Sequence, residues 1–294
     1  MTRQQKYQAF RALHERPGTF VIPNPWTAGT ARILTALGFE ALATTSAGYA
    51  FSVGRLDSAA ELTRDEVLEN AKSIVEATHL PVSADLQNGL GRSPESCAAT
   101  IQLASGIGLA GGSIEDATGD PDDPIYEFQL AVERVAAAAQ AAHEAQFMLT
   151  ARAENFLHGR PDLDDTIRRL QSFADVGADV LYAPGLASLE TIREVCASVS
   201  KPVNVLMGLK GGTYSVEELA AAGVKRISLG GSMARAALGA FVRAAREVKD
   251  QGTFTYAAEA LPHAEAMGYM ARSKRERSVQ KLGGQGSAAL ESLP

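Results

Sequence analysis

The feature that most constrains the fold of this chain is a recurring unit in which a helical pattern ends at glycine and a short apolar run follows. The unit occurs as TALGFEALATTS, FADVGADVLYAPG and LAAAGVKRISLGG, at residues 35–46, 173–185 and 219–231. Gly38, Gly177 and Gly223 stand where a helix end favours a left-handed residue, and the apolar run after each is typical of a buried parallel strand. Repetition of helix and strand predicts an α/β fold.

Strand-like runs of this kind occur eight times along the chain. They fall at residues 19–22, 40–45, 81–85, 111–115, 147–151, 179–183, 202–206 and 225–229. Eight strands that alternate with helices predict a (β/α)8 barrel of the TIM type. Two capping-box pairs, Thr63 with Glu66 and Ser215 with Glu218, open helices after the second and seventh strands and support this register. A doubly wound open sheet is the alternative, which the lack of a GxGxxG motif after the first strand disfavours.

The end of the chain differs from the repeated part. We expect the barrel, with an N-terminal helix, to occupy residues 1–250 and a helical extension to occupy 251–271. Residues 272–294 are charged at first and then small and glycine-rich, which predicts a mobile tail.

Charge and composition narrow the class of function. The 294 residues are 46% hydrophobic, and 28 basic against 34 acidic residues give a net charge of −6. This balance argues against nucleic-acid or membrane-surface partners and favours small-molecule chemistry. The N-terminus lacks the apolar core of a signal sequence, so we expect a cytoplasmic protein. Cys97 and Cys196 stand alone in alanine-rich helical contexts, which excludes a disulfide framework or CxxC metal site.

Polar residues collect where the predicted strands end, the position at which a barrel of this type carries its chemistry. They are Asn24, Thr45, Ser46, Asp85, Glu115, Asp116, Arg152, Glu154 and Asn204. Asp85 and Glu115 would project from neighbouring strands, where two carboxylates repel unless a proton or cation lies between them. Oxygen ligands without His or Cys nearby favour Mg2+ or Mn2+. Arg152, on the fifth strand, could then hold an anionic substrate, which suits a 2-oxo acid that chelates the metal.

Two other interpretations remain open from the residues alone. An aspartate that follows a strand, such as Asp85, can simply cap the next helix. The loops after the seventh and eighth strands carry Gly211, Gly212, Gly230 and Gly231, and the last pair opens the last long helix of the barrel. These loops resemble the phosphate-binding site found in many barrels, although glycines also serve tight turns.

Taken together, six motifs resemble the isocitrate lyase/phosphoenolpyruvate mutase superfamily, and the match runs from about residue 18 to 245. They are PNPWTAGTARILTALGFEALATTS, GRLDS, PVSADLQNGLG, GGSIED, LTARAENFLHGR and VLYAPG. The resemblance implies a (β/α)8 barrel whose eighth helix is exchanged between subunits, in a homo-oligomer that is a dimer or a tetramer. It also implies a Mg2+-dependent enzyme that acts on 2-oxo acids or their adducts.

The resemblance assigns roles to individual residues. Asp85 matches the direct metal ligand of the superfamily, and Asp57 and Glu115 match acids that reach the ion mainly through water. Arg152 matches the arginine that binds the substrate carboxylate. Ser46, with the backbone amides of Ala47 and Gly48, matches a loop that holds the same carboxylate. Among the strand-end residues we also expect Asn204 to contact the substrate, and Asp57, or Tyr49 in the loop beside it, to transfer a proton.

Departures from the superfamily pattern narrow the chemistry. The pattern DxDxGYG is replaced here by DLQNGLG, so that Gln87 stands in place of the second acid and Leu90 in place of the tyrosine. Residues 117–128 contain no Cys, His or Lys, whereas the lyases carry a KKCGH-type loop there. Cleavage of isocitrate or 2-methylisocitrate by the usual mechanism is therefore disfavoured. Ala183 stands where much of the superfamily has a glutamate.

Three functions follow as hypotheses. The leading one is a Mg2+-dependent lyase that cleaves a carbon–carbon bond of a small 2-oxo acid, oxaloacetate-like or a pyruvate adduct, through an enolate. The second is carbon–phosphorus chemistry, as a phosphonopyruvate hydrolase or phosphonomutase. The third is a non-catalytic barrel that binds a 2-oxo acid.

Overall fold

Eight parallel strands form a nearly closed barrel in the computed structural model, which describes residues 1–57, 61–208 and 212–271. The strands are β1 (Phe20–Ile22), β2 (Leu42–Ala43), β3 (Val82–Asp85), β4 (Gly111–Glu115), β5 (Met148–Arg152), β6 (Val180–Tyr182), β7 (Val203–Leu206) and β8 (Arg226–Ser228). Each of them lies within two residues of its predicted bounds.

Helices alternate with these strands along the chain. In the described residues they are α1 (Arg3–Glu15), α2 (Ala28–Ala36), α3 (Ser46–Ser52), α4 (Arg64–Ala77), α5 (Pro94–Gly106), α6 (Phe128–Ala145), α7 (Leu163–Asp175), α8 (Leu189–Ser198), α9 (Val216–Ala221), α10 (Ser232–Gln251) and α11 (His263–Met270). A 3-10 helix, Thr255–Glu259, lies between α10 and α11.

The order of the strands confirms the predicted (β/α)8 barrel. Every ladder is parallel, and the strands follow one another as β1-β8-β7-β6-β5-β4-β3-β2. β1 and β2 stand at the two ends of this order. The Ala43 N–H of β2 donates to the carbonyl oxygen of Pro23, which follows β1, at 3.0 Å. The carboxyl ends of all eight strands therefore point to one mouth of the barrel, as the alternation of helices and parallel strands requires.

Local signals in the sequence set the ends of the helices. Gly38, Gly177 and Gly223 have φ of +87°, +109° and +91°, the left-handed conformation expected after a helix. The Thr63 hydroxyl accepts from the Glu66 N–H, and the Glu66 carboxylate accepts from the Thr63 N–H at 2.9 Å, so the predicted capping box at the start of α4 is confirmed. The Ser215 box at the start of α9 is confirmed in the same way.

The interior of the barrel is polar, whereas its outer layer is apolar. Along β5, Leu149 and Ala151 belong to the apolar core, while Thr150 and Arg152 make hydrogen bonds within the barrel. Barrels of this fold usually fill the interior with branched aliphatic side chains. Here small and polar residues leave a cavity of about 60 Å³ inside the barrel.

The chain divides into two compact units, Met1–Val242 and Arg243–Pro294, and the second is described as far as Ala271. In the second unit the Glu247 carboxylate accepts from the hydroxyls of Thr253 and Thr255, both at 2.8 Å, and from the Tyr256 N–H. The predicted tail, residues 272–294, lies outside the described residues. Among the helices of the described chain, none has the length and apolarity needed to span a membrane.

Candidate active site

Asp85 ends β3 at the mouth of the barrel and is held by several donors. Its Oδ2 accepts from the Ser46 N–H at 3.1 Å and the Ser46 hydroxyl at 2.7 Å. Its Oδ1 accepts from the guanidinium of Arg152 at 3.2 Å. The capping interpretation of Asp85 thus receives no support, because its carboxylate contacts Arg152 of β5, Ser46 of α3 and the N–H of Gln87. The start of α5 is capped by Ser93 instead.

Arg152, the last residue of β5, is surrounded by three carboxylates. Its Nη1 lies 3.2 Å from Asp85 Oδ1 and 3.1 Å from Glu115 Oε2, and its Nε lies 2.8 Å from Glu154 Oε1. The guanidinium also lies 5.0 Å from the ring centroid of Tyr182. The structure therefore brings Asp85, Glu115 and Arg152 together as predicted, with the arginine standing between the two acids.

The cluster carries more negative than positive charge, which affects its protonation. Burial raises the pKa of Glu115 to about 8, and the neighbouring carboxylates of Glu154 and Asp85 add to the rise while Arg152 opposes it. Three acids share one guanidinium, so one of them is expected to keep its proton near neutral pH. A cation placed among these acids would relieve their repulsion.

A second buried ion pair, between Asp116 and Arg169, adjoins the cluster through the backbone of Glu154. Asp116 accepts from the Glu154 N–H at 2.8 Å and from Arg169 Nη1 at 3.0 Å. Burial raises the pKa of Asp116 to about 6, although both of these contacts favour the charged form. Because Asp116 binds the backbone of Glu154, it fixes the segment that delivers Glu154 to Arg152. Asp116 therefore positions the site rather than facing it.

The two residues predicted to transfer a proton have different surroundings. Asp57 is exposed on the segment after α3, and partial burial of its carboxylate together with the negative charge of Asp85 raises its pKa. Tyr49 lies on the short helix α3, not in a loop as expected. Burial and the charges of Glu66 and Glu69 raise the pKa of Tyr49. Of the two, Asp57 thus lies within the electrostatic reach of Asp85.

The predicted carboxylate-binding segment forms the start of α3. The Thr45 hydroxyl caps this helix and accepts from the Gly48 N–H at 3.2 Å. Both donors of Ser46 are directed to Asp85. Ala47 lies beside Gly231, where an added Cβ on the glycine would approach Ala47 Cβ to 3.3 Å. The sequence therefore located this segment correctly at the mouth, but Ser46 contacts the metal-ligand candidate rather than an open space.

Asn204 lies inside the barrel, in a polar cluster that no motif in the sequence indicated. Its side-chain oxygen accepts from Arg226 Nε at 2.7 Å, and its amide donates to the Ser228 hydroxyl at 2.9 Å. Arg226 also donates to Thr150 Oγ1 at 3.0 Å and lies 3.4 Å from His14 Nε2. The alternation of side chains along a strand could have indicated this cluster. Arg226 and Ser228 are two residues apart on β8, so their side chains lie on the same face of the strand.

The residues at the mouth fit a hard divalent cation in their chemistry. Asp85 and Glu115 supply carboxylate oxygens, and Gln87 links them, because its N–H lies 3.4 Å from Asp85 Oδ1 and its carbonyl accepts from the Glu115 N–H at 2.9 Å. The Gln87 side-chain oxygen is buried without a hydrogen-bond partner in the described structure. Within that same part of the chain, no three His, Cys, Asp or Glu side chains are grouped so that they could hold a metal ion. Arg152 contacts both Asp85 and Glu115.

An eight-stranded parallel barrel with carboxylates and an arginine at its mouth defines the class to which this protein belongs, the TIM barrels with an acidic site at the carboxyl ends of their strands. More narrowly, the chain belongs to the phosphoenolpyruvate phosphomutase family, whose model matches residues 10–249. The resemblance to the isocitrate lyase/phosphoenolpyruvate mutase superfamily is thereby confirmed.

Individual relatives agree with this assignment. A crystal structure of a candidate lyase/mutase from Burkholderia cenocepacia J2315 is 56% identical and superposes with a TM-score of 0.89, covering 92% of this chain and 97% of the other. A 2,3-dimethylmalate lyase structure is 25% identical with a TM-score of 0.81, covering 97% and 98%. The 2-methylisocitrate lyase of Escherichia coli K12 is 27% identical over 225 residues, which are 74% of this chain and 75% of the lyase.

Proposed function

We propose that this protein is a Mg2+-dependent lyase that cleaves a carbon–carbon bond of a small 2-oxo acid through an enolate. The observation that carries the proposal is the meeting of Asp85, Glu115 and Arg152 at the mouth of the barrel. Lyases among the relatives support cleavage of small acids as the reaction class. Mn2+ could replace Mg2+ in an all-oxygen site.

Asp85 and Glu115 are the residues that would hold the ion, with Asp57 contributing from the segment after α3. When bound, the cation would withdraw electron density from the keto group and stabilise the negative charge of an enolate. Arg152 would fix the substrate carboxylate, and Ser46 would keep Asp85 in place through its two hydrogen bonds. Asp57 is our candidate for proton transfer, because its pKa is raised towards the range in which an acid can exchange protons.

The test is a substrate panel with one variant and one matched control. Oxaloacetate, 2-methylisocitrate, 4-hydroxy-2-oxo acids and phosphonopyruvate would each be incubated with Mg2+ or with chelator, and pyruvate and phosphate release would be measured. We expect Mg2+-dependent pyruvate release that Asp85→Asn lowers by about 100-fold or more, since a direct ligand is lost. Asp175→Asn makes the same change at an exposed position at the end of α7 and should leave the rate unchanged. A normal rate from Asp85→Asn would contradict the proposal.

Carbon–phosphorus chemistry is the second candidate, because the matching family is described as phosphoenolpyruvate phosphomutase. Phosphate release from phosphonopyruvate in the same panel would favour a hydrolase, and interconversion of phosphonopyruvate and phosphoenolpyruvate would favour a mutase. Binding of 2-oxo acids without turnover of any member would favour the non-catalytic barrel.

We further propose that the protein is a homo-oligomer in which α10 is exchanged between subunits. Four apolar side chains recur on one face of α10 at helical spacing and remain exposed in the single chain: Leu238 (41%), Phe241 (70%), Val242 (41%) and Val248 (37%). An apolar helical face of this kind is typical of an interaction site, and a second copy of the chain is the occupant that the superfamily resemblance supports.

A further inference from the structure

The cavity inside the barrel connects the proposed site with a second cationic group. Asp85 and Arg152 line it near the mouth, and Arg226, Asn204 and Ser228 line it on the side of β7 and β8. Thr150, which Arg226 contacts, precedes Arg152 by two residues on β5. A strand rises about 3.3 Å per residue, so Arg226 contacts β5 at a point roughly 7 Å along the strand before Arg152, on the side away from the mouth.

Arg226 carries a buried positive charge that its neighbours leave unbalanced. Its three hydrogen-bond partners are the side chains of Asn204, Thr150 and His14, all of which are neutral acceptors. No ion pair joins it to a carboxylate in the part of the chain that the structure describes. Burial lowers the pKa of Arg226 only to about 10, so the guanidinium is still charged at neutral pH. A buried charge without a counter-ion is costly unless a ligand supplies one.

His14 does not supply the missing negative charge. Its Nδ1 lies 2.8 Å from the Phe10 carbonyl oxygen, which places the proton on Nδ1 and leaves Nε2 as an acceptor facing Arg226. Burial and the charge of Arg226 lower the pKa of His14 to about 3, so the ring is neutral over the ordinary pH range.

Arg152 differs from Arg226 in this respect. Three carboxylates already contact Arg152, so the mouth of the cavity is the negative end and the floor beside Arg226 is the positive end. An anionic group that enters the cavity is repelled by the acids at the mouth, unless a cation screens them, and is attracted by Arg226.

We propose that Arg226 forms an anion subsite on the floor of the cavity, which receives one carboxylate of a dicarboxylic ligand whose other end lies at Arg152. A volume of about 60 Å³ holds about four to six water-sized groups, since each needs roughly 10–15 Å³ of such space. The subsite therefore favours short acids with a carboxylate at each end and disfavours monocarboxylic acids such as pyruvate. The proposal rests on the proposed function only in taking this ligand to be the substrate.

The experiment compares two three-carbon acids that differ in one carboxylate. Malonate and propionate would be titrated calorimetrically into the full-length wild-type protein and into Arg226→Gln, with Mg2+ and with chelator. We expect the wild type to prefer malonate by about ten-fold or more, because a charge-assisted hydrogen bond is gained. In Arg226→Gln this preference should fall to about two-fold or less, because the amide has no charge.

A second variant guards against misfolding of the first. Asn204→Asp keeps the size of the side chain and its contacts with Arg226 and Ser228, while it gives Arg226 the counter-ion that it lacks. It should also abolish the preference for malonate and leave the melting temperature equal or higher. A wild-type preference in either folded variant, or a wild-type protein without a preference, overturns the subsite. Because binding is measured without turnover, a protein that fails every lyase assay can still confirm or overturn this inference.

Discussion

At the residue scale, the barrel holds ionisable side chains in protonation states that water alone would not give them. Glu115 is pushed towards its neutral acid by burial and by its acidic neighbours. His14 is kept neutral by burial and by Arg226. Both shifts arise from charges enclosed in a region of low dielectric, and each must appear as a dependence of stability on pH.

The neutral state of folded His14 should make the free energy of unfolding depend on pH, beginning well above the pH at which most carboxylates titrate. Unfolded histidine takes up a proton below about pH 6.5, whereas folded His14 does so only near pH 3. At this site the unfolded state therefore binds more protons in this window, so His14 lowers the free energy of unfolding by up to about 1.4 kcal/mol per pH unit as the pH drops below 6.5. Glu115 and Asp116, whose pKa values are raised to about 8 and about 6, act in the opposite direction, so the contribution of His14 is the difference between the wild type and a variant without this histidine. Urea denaturation at intervals between pH 7 and pH 4 would measure the slope.

His14→Gln should reduce this slope, because glutamine can donate to Phe10 and accept from Arg226 but does not titrate. The matched control is His143→Gln, an exposed histidine on α6, which should retain the wild-type slope. Equal slopes in wild type and His14→Gln would show that other groups cause the acid sensitivity.

The neighbours of Gly48 leave no room for a larger side chain at the start of α3. A Cβ there would lie 2.7 Å from Thr45 Cγ2 and 3.0 Å from Trp26 Cβ, closer than carbon atoms approach without a shift. Gly48→Ala should therefore cost about 1–3 kcal/mol of unfolding free energy, the usual effect of overpacking. Gly106→Ala, in α5, meets nothing within 4 Å and should be neutral or stabilising. Thermal denaturation of both variants would decide, and equal melting temperatures would refute the packing effect.

At the element scale, strands and caps could be predicted because each depends on a short stretch of sequence. The apolar runs of β3 to β8 and the capping boxes of α4 and α9 were all identified in this way. Helix α3 could not, because a seven-residue helix has little intrinsic stability and depends on packing that the sequence does not display. Tyr49 was therefore placed in a loop.

The same distinction applies to the candidate site. Asp85, Glu115 and Arg152 could be found because each ends a strand, and strand ends of a barrel meet at one mouth. Arg226 begins its strand, and its role depends on which neighbours it has across the barrel. Arg226 is 76 positions from Thr150 and 212 positions from His14 in the sequence. These contacts form because the sheet closes, and no local sequence pattern indicates them.

The capping box at the start of α4 should contribute measurably to the free energy of unfolding. Thr63→Ala removes the hydroxyl that accepts from the Glu66 N–H and should lower the unfolding free energy by about 1 kcal/mol. Thr63→Ser keeps the hydroxyl and serves as the control. Chemical denaturation would measure both, and an alanine variant as stable as the serine variant would show that the box contributes nothing.

At the scale of the whole molecule, the proposed exchange of α10 makes the oligomer depend on one apolar face. Phe241→Asp places a charge in the centre of that face and should shift the protein to lower mass in light scattering after gel filtration. Ala236→Asp, exposed on the opposite side of the same helix, should keep the wild-type mass. A wild-type protein that is monomeric at tens of micromolar would contradict the exchange.

The arginine shared by three acids also restricts how this family can diversify. Loss of Arg152 would leave Asp85, Glu115 and Glu154 as buried acids without their counter-ion. Such a loss is strongly destabilising by itself. Loss of one acid should destabilise the protein less, because the other two carboxylates still pair with the guanidinium. A change of chemistry at this site should therefore begin with substitution of an acid, because substitution of Arg152 costs more stability.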